Sequence, residues 1–321
     1  MMTDTLSAQS PVQVRRNGKL FIISLRCGRL GNRLILFANL IAYAAEHGDR
    51  VANVTFHSYA HLFETTRRDI YCRYPVAQRQ SLFDHIPKVP HAIRWSRLFY
   101  HFVRASSVLN ERFPVFGRKV VTVREQLGLE WECLSDPKIE DRIRDARVVF
   151  IYGWHFRAPE CVERHADKIR AYFRPAEPYE TAGSQAVQGL REKAGVVVGV
   201  HLRQGDNWKW KGGKYLFPAA RYVSWMEQLA GQFPGRKVAF MVCSDEPRHP
   251  SEFPGLLVGF GPGSMAGDLY ALAKCDYIFG PLSTFSQWAS FYGEKPLFHL
   301  ENPDVRLEVE RFRVANLQKL F

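Results

Sequence analysis

The sequence predicts an α/β protein built from two domains, each a Rossmann-like parallel sheet with helices, facing a common cleft. At 321 residues the chain is long for a single core, so two domains are the default. In both halves, short runs of Val, Ile, Leu and Phe alternate with amphipathic helical segments, which is typical of parallel βα units. A composition of 46% hydrophobic and 24% charged residues supplies enough apolar material for both cores.

The first half predicts a disordered tail at 1–18 and an N-terminal domain at 19–178. Its elements are predicted as strands at 20–25, 51–56 and 147–152 and helices at 32–47 and 161–173. The loop after the first strand contains Gly28 and Gly31, which let the backbone approach a ligand closely. Together these elements form a βαβ unit without the G-x-G-x-x-G fingerprint of dinucleotide-binding proteins.

Positive charge is concentrated in an otherwise irregular insertion at 60–138. Between residues 60 and 124, twelve Lys or Arg stand against four Asp or Glu, a surplus of eight within a net charge of +12. The helix predicted there carries Arg94, Arg97, His101 and Arg104 on one face and Trp95, Leu98, Phe99, Phe102 and Val103 opposite. Such a helix fits an anionic membrane surface, but packing on its own domain is the favoured interpretation. No nucleic-acid-binding motif occurs, so nucleic acid is not expected as a partner.

The location expected from the sequence is the cytoplasm, with peripheral membrane contact as an open alternative. No apolar run is long enough to span a membrane, and the polar N-terminus has no signal-peptide core. Six cysteines lie far apart without a C-x-x-C pair, which indicates reduced thiols rather than disulfides or a zinc site.

The second half predicts a C-terminal domain at 179–321 with helices on both faces of a parallel sheet. Strands are predicted at 196–202, 238–242, 256–258 and 277–279, and helices at 219–232, 267–274 and after Ser283. The stretch at 174–184, which contains two prolines, is the predicted domain boundary.

The strand at 196–202 is the first candidate site, because it turns polar where it ends. His201 and Arg203 lie two residues apart, so their side chains share one side of the strand and can reach one ligand. Ligands bind outside the carboxyl ends of strands in open α/β sheets, and the planar guanidinium suits a phosphate. Asp245, which follows the next strand, is a further candidate at this edge. The alternative is that Arg203 only pairs with a neighbouring loop.

The second candidate site follows the strand at 277–279. The residues at the start of the next helix are Ser283, Thr284, Phe285 and Ser286. Hydroxyls and free N–H groups at a helix N-terminus can bind an anion, although Ser283 or Thr284 could simply cap the helix. Asp268, upstream, either accepts hydrogen bonds from a purine base or is a first-turn residue favoured by the helix dipole. Phe285 is more typical of a core than of a stacking platform.

Four motifs occur in a fixed order: GRLGN at 28–32, IYGWHFRAPECVERHADKIRAYF at 151–173, HLRQGD at 201–206, and D-x-x-x-L-x-x-C-D-Y-I-x-x-x-x-STFS-x-W at 268–288. Together they resemble the GDP-fucose-dependent fucosyltransferases, the α-1,2 group most closely and the α-1,6 and protein O-fucosyltransferases more distantly. The resemblance spans about residues 20–300 without the basic insertion.

This resemblance implies a GT-B-like architecture and inverting, metal-independent transfer of fucose from GDP-fucose to a hydroxyl of a glycan acceptor. No cofactor or metal ion is implied, and no D-x-D motif occurs. The implied roles are β-phosphate binding for Arg203, nucleoside contact for His201, guanine recognition for Asp268, diphosphate binding for Ser283 to Ser286, and contact with the sugar and acceptor for Asn32.

Two features leave the activity open. The α-1,2 and α-1,6 groups usually carry two adjacent arginines where this chain has Arg203 and Gln204, which loosens the assignment of linkage and acceptor. Asp206 is the nearest carboxylate that could act as the base, but closing the turn or orienting Arg203 is the favoured role. The alternatives are a glycosyltransferase using another nucleotide sugar, an inactive glycan-binding relative, or a basic nucleic-acid-binding protein.

Overall fold

The structure, a computed structural model, describes residues 18–69, 71–76, 90–126, 131–205 and 212–318, without the side chains of 90–96. The predicted tail, apart from Gly18, lies outside the described residues. Across the described helices, none is both long and apolar enough to cross a membrane.

The described residues form two compact units. Unit 1 contains described residues of 1–26, 37–57 and 69–169, and unit 2 contains those of 27–36, 58–68 and 170–321. The domain boundary predicted from the sequence lies at 178/179, whereas the last change between the two units falls after residue 169. Residues just after 169 group with unit 2 because Phe173 packs edge-to-face on Trp288 at 5.0 Å, and Arg170 Nε donates to the Phe291 carbonyl oxygen at 3.1 Å.

The strands are β1 (Leu20–Ile23), β2 (Arg50–Ala52), β3 (Arg73–Tyr74), β4 (Val120–Arg124), β5 (Glu132–Cys133), β6 (Val148–Tyr152), β7 (Phe156–Arg157), β8 (Val196–Leu202), β9 (Val238–Ser244), β10 (Leu257–Phe260), β11 (Tyr277–Pro281), β12 (Pro296–Leu300) and β13 (Arg313–Val314). The helices are α1 (Leu30–His47), α2 (Pro90–Arg112), α3 (Pro137–Ile143), α4 (Pro159–Arg164), α5 (Ala166–Tyr172), α6 (Glu177–Arg191), α7 (Ala219–Ala230), α8 (Met265–Lys274) and α9 (Thr284–Gly293).

The sheet of unit 1 has the order β3-β2-β1-β6-β4 and is parallel except for the β2–β3 pair. A second small sheet pairs β5 with β7. The basic insertion is not irregular, since it supplies the 23-residue helix α2 and the strand β4 that pairs with β6. The sequence of β4 lacks a clear alternation because the adjacent Thr122 and Val123 are both buried, whereas Val120, Val121 and Arg124 are only partly buried.

The sheet of unit 2 has the order β10-β9-β8-β11-β12-β13 and is parallel except for the β12–β13 pair. All seven residues of the central strand β8 are buried, as its continuous apolar sequence predicted. Trp225 and Met226 of α7 belong to the same buried cluster as Val198 and Val200 of β8. Gly199 gives α8 room, because a Cβ there would lie 2.8 Å from Leu272 Cδ2.

Candidate functional site

The candidate site lies at the carboxyl edge of the unit 2 sheet, where the strand order reverses. From β8 the chain adds β9 and β10 on one side, then returns to place β11 and β12 on the other. Helices after β8 and β11 therefore leave in opposite directions and open a crevice between the two strands, the usual ligand site of such sheets. The two candidate sites predicted from the sequence, His201 with Arg203 and the residues 283–286, lie at the ends of β8 and β11.

His201, near the end of β8, is buried and its Nδ1 has no hydrogen-bond partner among the described residues. Its ring lies 5.1 Å from that of Phe285, tilted by 34°. Burial, together with the positive charge of Arg203, lowers the pKa of His201 to about 3. The imidazole is thus neutral at physiological pH, and its orphaned nitrogen is available to a ligand.

Gly280 brings β11 unusually close to the end of β8. A Cβ at this position would lie 2.6 Å from the carbonyl oxygen of His201 and 2.8 Å from its Cβ. Only glycine therefore fits beside the histidine. The glycine belongs to the FGP sequence that ends β11, but the need for it follows from a contact between strands about 80 residues apart in sequence.

The turn after β8 is held by Asp245, which follows β9. The Gln204 N–H donates to Asp245 Oδ1 at 2.8 Å, and Gln204 Nε2 donates to the Phe217 carbonyl oxygen at 2.7 Å. A Cβ on Gly205 would lie 2.5 Å from Asp245 Oδ2. Asp245, a candidate for ligand binding, thus anchors backbone here, and Arg203 sits half-buried at the anchored turn. Asp206 lies outside the described residues.

The N-terminus of α9 is compatible with both roles predicted for its hydroxyl residues, helix capping and anion binding. Ser283 caps the helix by accepting a hydrogen bond from the Phe285 N–H at 3.2 Å. The buried Ser286 hydroxyl donates to the Ser283 carbonyl oxygen at 3.2 Å. The first turn carries no acidic side chain, so the positive end of the helix dipole is not neutralised locally.

Asn32 and Thr284 join two motifs that are far apart in the sequence. The Thr284 hydroxyl donates to Asn32 Oδ1 at 2.7 Å. A Cβ on Gly31 would lie 2.5 Å from Thr284 Oγ1 and 2.9 Å from the Phe285 nitrogen, so a side chain there would collide with the start of α9. The N-termini of α1 and α9 therefore meet within unit 2.

The loop before α1 is fixed by Gly28 and by Arg33, a residue that no sequence motif predicted. Gly28 has a φ of +60°, a conformation that favours glycine. Arg33 Nε and Nη2 donate to the Gly28 carbonyl oxygen at 3.2 and 3.1 Å, and Nη1 donates to Ser58 Oγ at 3.1 Å. The only available signal for Arg33 is its position beside the GRLGN motif.

Asp268 lies farther along the same edge, in the first turn of α8. Its Oδ1 accepts from the Gly263 N–H at 2.9 Å, and its backbone oxygen lies 3.6 Å from Cys243 Sγ. Burial raises the pKa of Asp268 to about 6, an effect that the Gly263 N–H partly offsets. Cys243 is in register with His201 on the neighbouring strand, so Asp268 belongs to the β9–β10 side of the crevice.

Two further observations concern possible metal ligands and the cysteine thiols. No group of three His, Cys, Asp or Glu side chains within the described ranges could hold a metal ion. Cys72, Cys161, Cys243 and Cys275 are buried free thiols. Burial raises the pKa of Cys72 and Cys243 well above the usual value, so these thiols stay protonated.

The sequence matches no protein-family model, and no curated protein sequence matches it. Among solved structures, FUT1 of Arabidopsis thaliana, a point variant in complex with GDP, matches with a TM-score of 0.52 and 12% identity, covering 94% of this chain and 75% of that chain. The fucosyltransferase NodZ from Bradyrhizobium matches with a TM-score of 0.48 and 16% identity, covering 89% and 97%. POFUT1 in complex with GDP matches with a TM-score of 0.48 and 14% identity, covering 88% and 96%. At these identities the likeness concerns the fold alone. The predicted α/β class is confirmed, and the chain shares the fold of Arabidopsis FUT1.

Proposed function

We propose that this protein is a glycosyltransferase that moves fucose from GDP-fucose to a hydroxyl of a glycan acceptor. The observation that carries the proposal is the buried His201, whose Nδ1 is unpartnered beside Arg203 and the N-terminus of α9 at the switch point of the unit 2 sheet. Fold likeness to FUT1, which was solved with GDP, supports a GDP-linked donor. The four motifs that resemble fucosyltransferases support fucose as the sugar.

The donor diphosphate would lie between Arg203 and the start of α9. A guanidinium pairs two phosphate oxygens at once, and the N–H groups at the start of α9 that Ser283 does not cap add to the positive end of the helix dipole. The neutral His201 would contact the nucleoside and, being uncharged, would not compete with Arg203 for the diphosphate. Gly28 in the loop before α1, and Gly31 in the first turn of α1 against the start of α9, would let this backbone approach the donor closely.

The guanine would lie against Asp268. An ionised carboxylate accepts hydrogen bonds from the N–H groups on the guanine edge, which a uracil edge cannot offer in the same arrangement. Asp268 lies on the β9–β10 side while Arg203 follows β8, so base and diphosphate would occupy different positions along one edge.

The reaction we propose inverts the anomeric carbon and requires no metal ion. The acceptor oxygen attacks the anomeric carbon of fucose, the bond from that carbon to the β-phosphate oxygen breaks, and GDP leaves with the bonding electrons. Negative charge grows on the leaving diphosphate, where Arg203 and the N–H groups of α9 would stabilise it. The acceptor proton passes to a base, for which Asp206 is the candidate. Asn32, held by Thr284, would face the sugar and the acceptor.

The acceptor side of the reaction is assigned to the basic insertion at 60–138. Its surplus of positive charge suits an anionic glycan or a glycan linked to a lipid. Arg97 and Arg104 on α2 are exposed and could contact such an acceptor, whereas the side chain of Arg94 lies outside the described residues. We place the reaction in the cytoplasm, where GDP-fucose would be the donor and no cofactor would be needed.

The proposal is tested by incubating the purified protein with GDP-fucose, GDP-mannose or UDP-glucose and a panel of glycans, with and without EDTA. We expect GDP release and glycan fucosylation with GDP-fucose alone, unchanged by EDTA. Preference for UDP-glucose would indicate a different glycosyltransferase. Glycan binding without turnover would indicate an inactive relative, and activity abolished by EDTA would contradict metal independence.

A further inference from the structure

Helix α2 packs on the sheet of unit 1 through only one of its two apolar faces. Tyr100 and Val103 are buried in a cluster with Val54 and Phe150. On the same face, the Ser107 carbonyl oxygen accepts from the Thr122 hydroxyl at 2.8 Å. Tyr100, Val103 and Ser107 therefore hold the helix on the sheet of unit 1, as expected for a surface helix.

A second apolar row on α2 remains exposed. It contains Leu98, Phe102 and Leu109 and continues after the helix with Phe113 and Phe116, each more than half exposed. At 100° per residue, the row lies on the side of the helix away from Tyr100 and Val103. The sequence predicts Leu98, Phe102 and Val103 on a single face, but Val103 is buried whereas Leu98 and Phe102 are exposed. Contiguous exposed apolar surface of this kind is typical of an interaction site.

A basic row runs beside the apolar one. It contains Arg97, Arg112 and Lys119, all exposed, and no described acidic side chain pairs with any of them. The nearby Glu111 is held by Arg124 at 2.6 Å and so offers them no neutralisation. Arg118 makes only a long, exposed pair with Asp145 at 3.7 Å. The exposed apolar side chains are thus flanked by uncompensated positive charge.

We propose that α2 and the following turn through residue 119 form a docking surface for an anionic lipid bilayer. The 23 residues make a helix about 35 Å long. Lying in the plane of the membrane, it would place the apolar row at the boundary between headgroups and acyl chains, and the basic row against anionic headgroups. The surface would hold the enzyme where membrane-linked acceptors are present.

A second copy of this chain fits the surface less well. A twofold dimer brings the same patch of each copy together, so the basic rows would lie close to each other. That arrangement opposes like charges around the apolar contact, whereas an anionic bilayer complements them. Lipid binding does not depend on the identity of the donor, so it can be tested separately from transfer.

The test is flotation of the full-length protein with vesicles of phosphatidylcholine alone or with about 30% phosphatidylglycerol, in about 0.1 M NaCl. We expect binding to the mixed vesicles and little binding to phosphatidylcholine. Phe102→Ser with Phe113→Ser should abolish most of it. The triple variant Arg97→Gln, Arg112→Gln, Lys119→Gln should weaken binding about 100-fold, roughly fivefold for each charge.

Matched controls change exposed residues elsewhere. Val76→Ser with Val314→Ser removes two exposed apolar side chains, and Lys193→Gln, Lys237→Gln, Arg306→Gln removes the same charge. Both controls should bind vesicles like the unchanged protein. Circular dichroism and GDP titration verify that all variants fold. Absence of vesicle binding, equal losses in the controls, or a wild-type dimer that Phe102→Ser with Phe113→Ser dissociates would each overturn the proposal.

Discussion

The turn after β8 and the loop after β6 are each held by a carboxylate that follows the neighbouring strand, but the two segments present different groups. In unit 1, Glu125 follows β4 and its Oε2 accepts from the N–H groups of Trp154 and His155 at 2.7 and 3.2 Å. In unit 2, Asp245 follows β9 and its Oδ1 accepts from the Gln204 N–H at 2.8 Å. In each case a carboxylate after one strand holds the backbone that leaves the neighbouring strand.

The difference lies in what the anchored backbone presents. The Glu125 carboxylate accepts hydrogen bonds from two backbone N–H groups and packs against Gly153, where a Cβ would lie 2.5 Å from Glu125 Oε2. The Asp245 anchor instead fixes a turn that carries Arg203 and follows a buried His201 with an orphaned Nδ1. We infer that the Glu125 contact mainly stabilises a loop of unit 1, whereas the Asp245 contact fixes the turn to which we propose that a ligand binds.

The largest effect is expected from Arg203→Ala, which removes the charged group of the unit 2 turn while leaving its anchor. Transfer should fall about 1000-fold because the lost contact is strongest to the charge that develops on the departing diphosphate. Arg203→Lys should also fail badly, since a single ammonium does not reproduce the bidentate fork. Steady-state kinetics measure both. A fully active lysine variant would contradict the phosphate role.

Next in size is Gly31→Ala, which tests the meeting of α1 and α9. The added Cβ would collide with Thr284 and the Phe285 nitrogen, so the start of α9 must move. GDP affinity should fall about 30-fold, because the N–H groups would be displaced from the diphosphate. Gly189→Ala on α6 is the control, since a Cβ there meets nothing within 4 Å. Gly189→Ala should leave GDP affinity unchanged. Equal GDP affinities for the two variants would contradict the contact between Gly31 and the start of α9.

The two anchors can be compared directly with Asp245→Ala and Glu125→Ala. Glu125→Ala leaves the part-buried N–H groups of Trp154 and His155 without their acceptor, at a cost of about 1–3 kcal/mol of unfolding free energy. Asp245→Ala leaves the exposed Gln204 N–H without its acceptor, at a cost of about 0.5–1.5 kcal/mol. Only Asp245→Ala should also weaken GDP binding, by about tenfold, because it loosens the turn that carries Arg203. Calorimetric titration and denaturant unfolding give the two quantities. GDP affinity lowered equally by both changes would break the distinction between the turns.

A smaller effect concerns the pH dependence of GDP binding. Burial raises the pKa of Asp268 to about 6, and the guanine N–H groups prefer the ionised carboxylate. Affinity should therefore rise up to about tenfold between about pH 5 and pH 7, with the Asp268 contribution lost as pH falls through 6. Asp268→Asn removes this component while retaining the ionisation of GDP itself. Identical pH profiles for both proteins would exclude Asp268 from the guanine contact.

Much of unit 2 could be predicted from the sequence, because alternating strands and helices leave a strong periodic signal. The strand at 196–202 agrees with β8, and the helix expected after Ser283 is α9. The sequence predicts His201, Arg203 and Ser283 to Ser286 as site residues from the ends of their strands, and the structure brings His201 beside Phe285. Their roles in binding and catalysis stay predictions.

Other contacts could not be predicted because they depend on distances across the fold. The bond between Thr284 and Asn32 joins residues 252 positions apart, and periodicity carries no information about it. Periodicity also cannot tell which of two apolar faces on α2 is buried. The packing of Tyr100 and Val103 decides that, and leaves Leu98 and Phe102 exposed.

The central claim is that the carboxyl edge of the unit 2 sheet binds the guanosine diphosphate part of the donor. Isothermal titration of GDP and UDP into the full-length protein in the presence of EDTA tests it most directly. We expect GDP to bind at least about 100-fold more tightly than UDP, about 2.7 kcal/mol, and GDP binding to weaken strongly in Arg203→Ala. Equal affinities for GDP and UDP, or GDP binding unaffected by Arg203→Ala, would contradict the account.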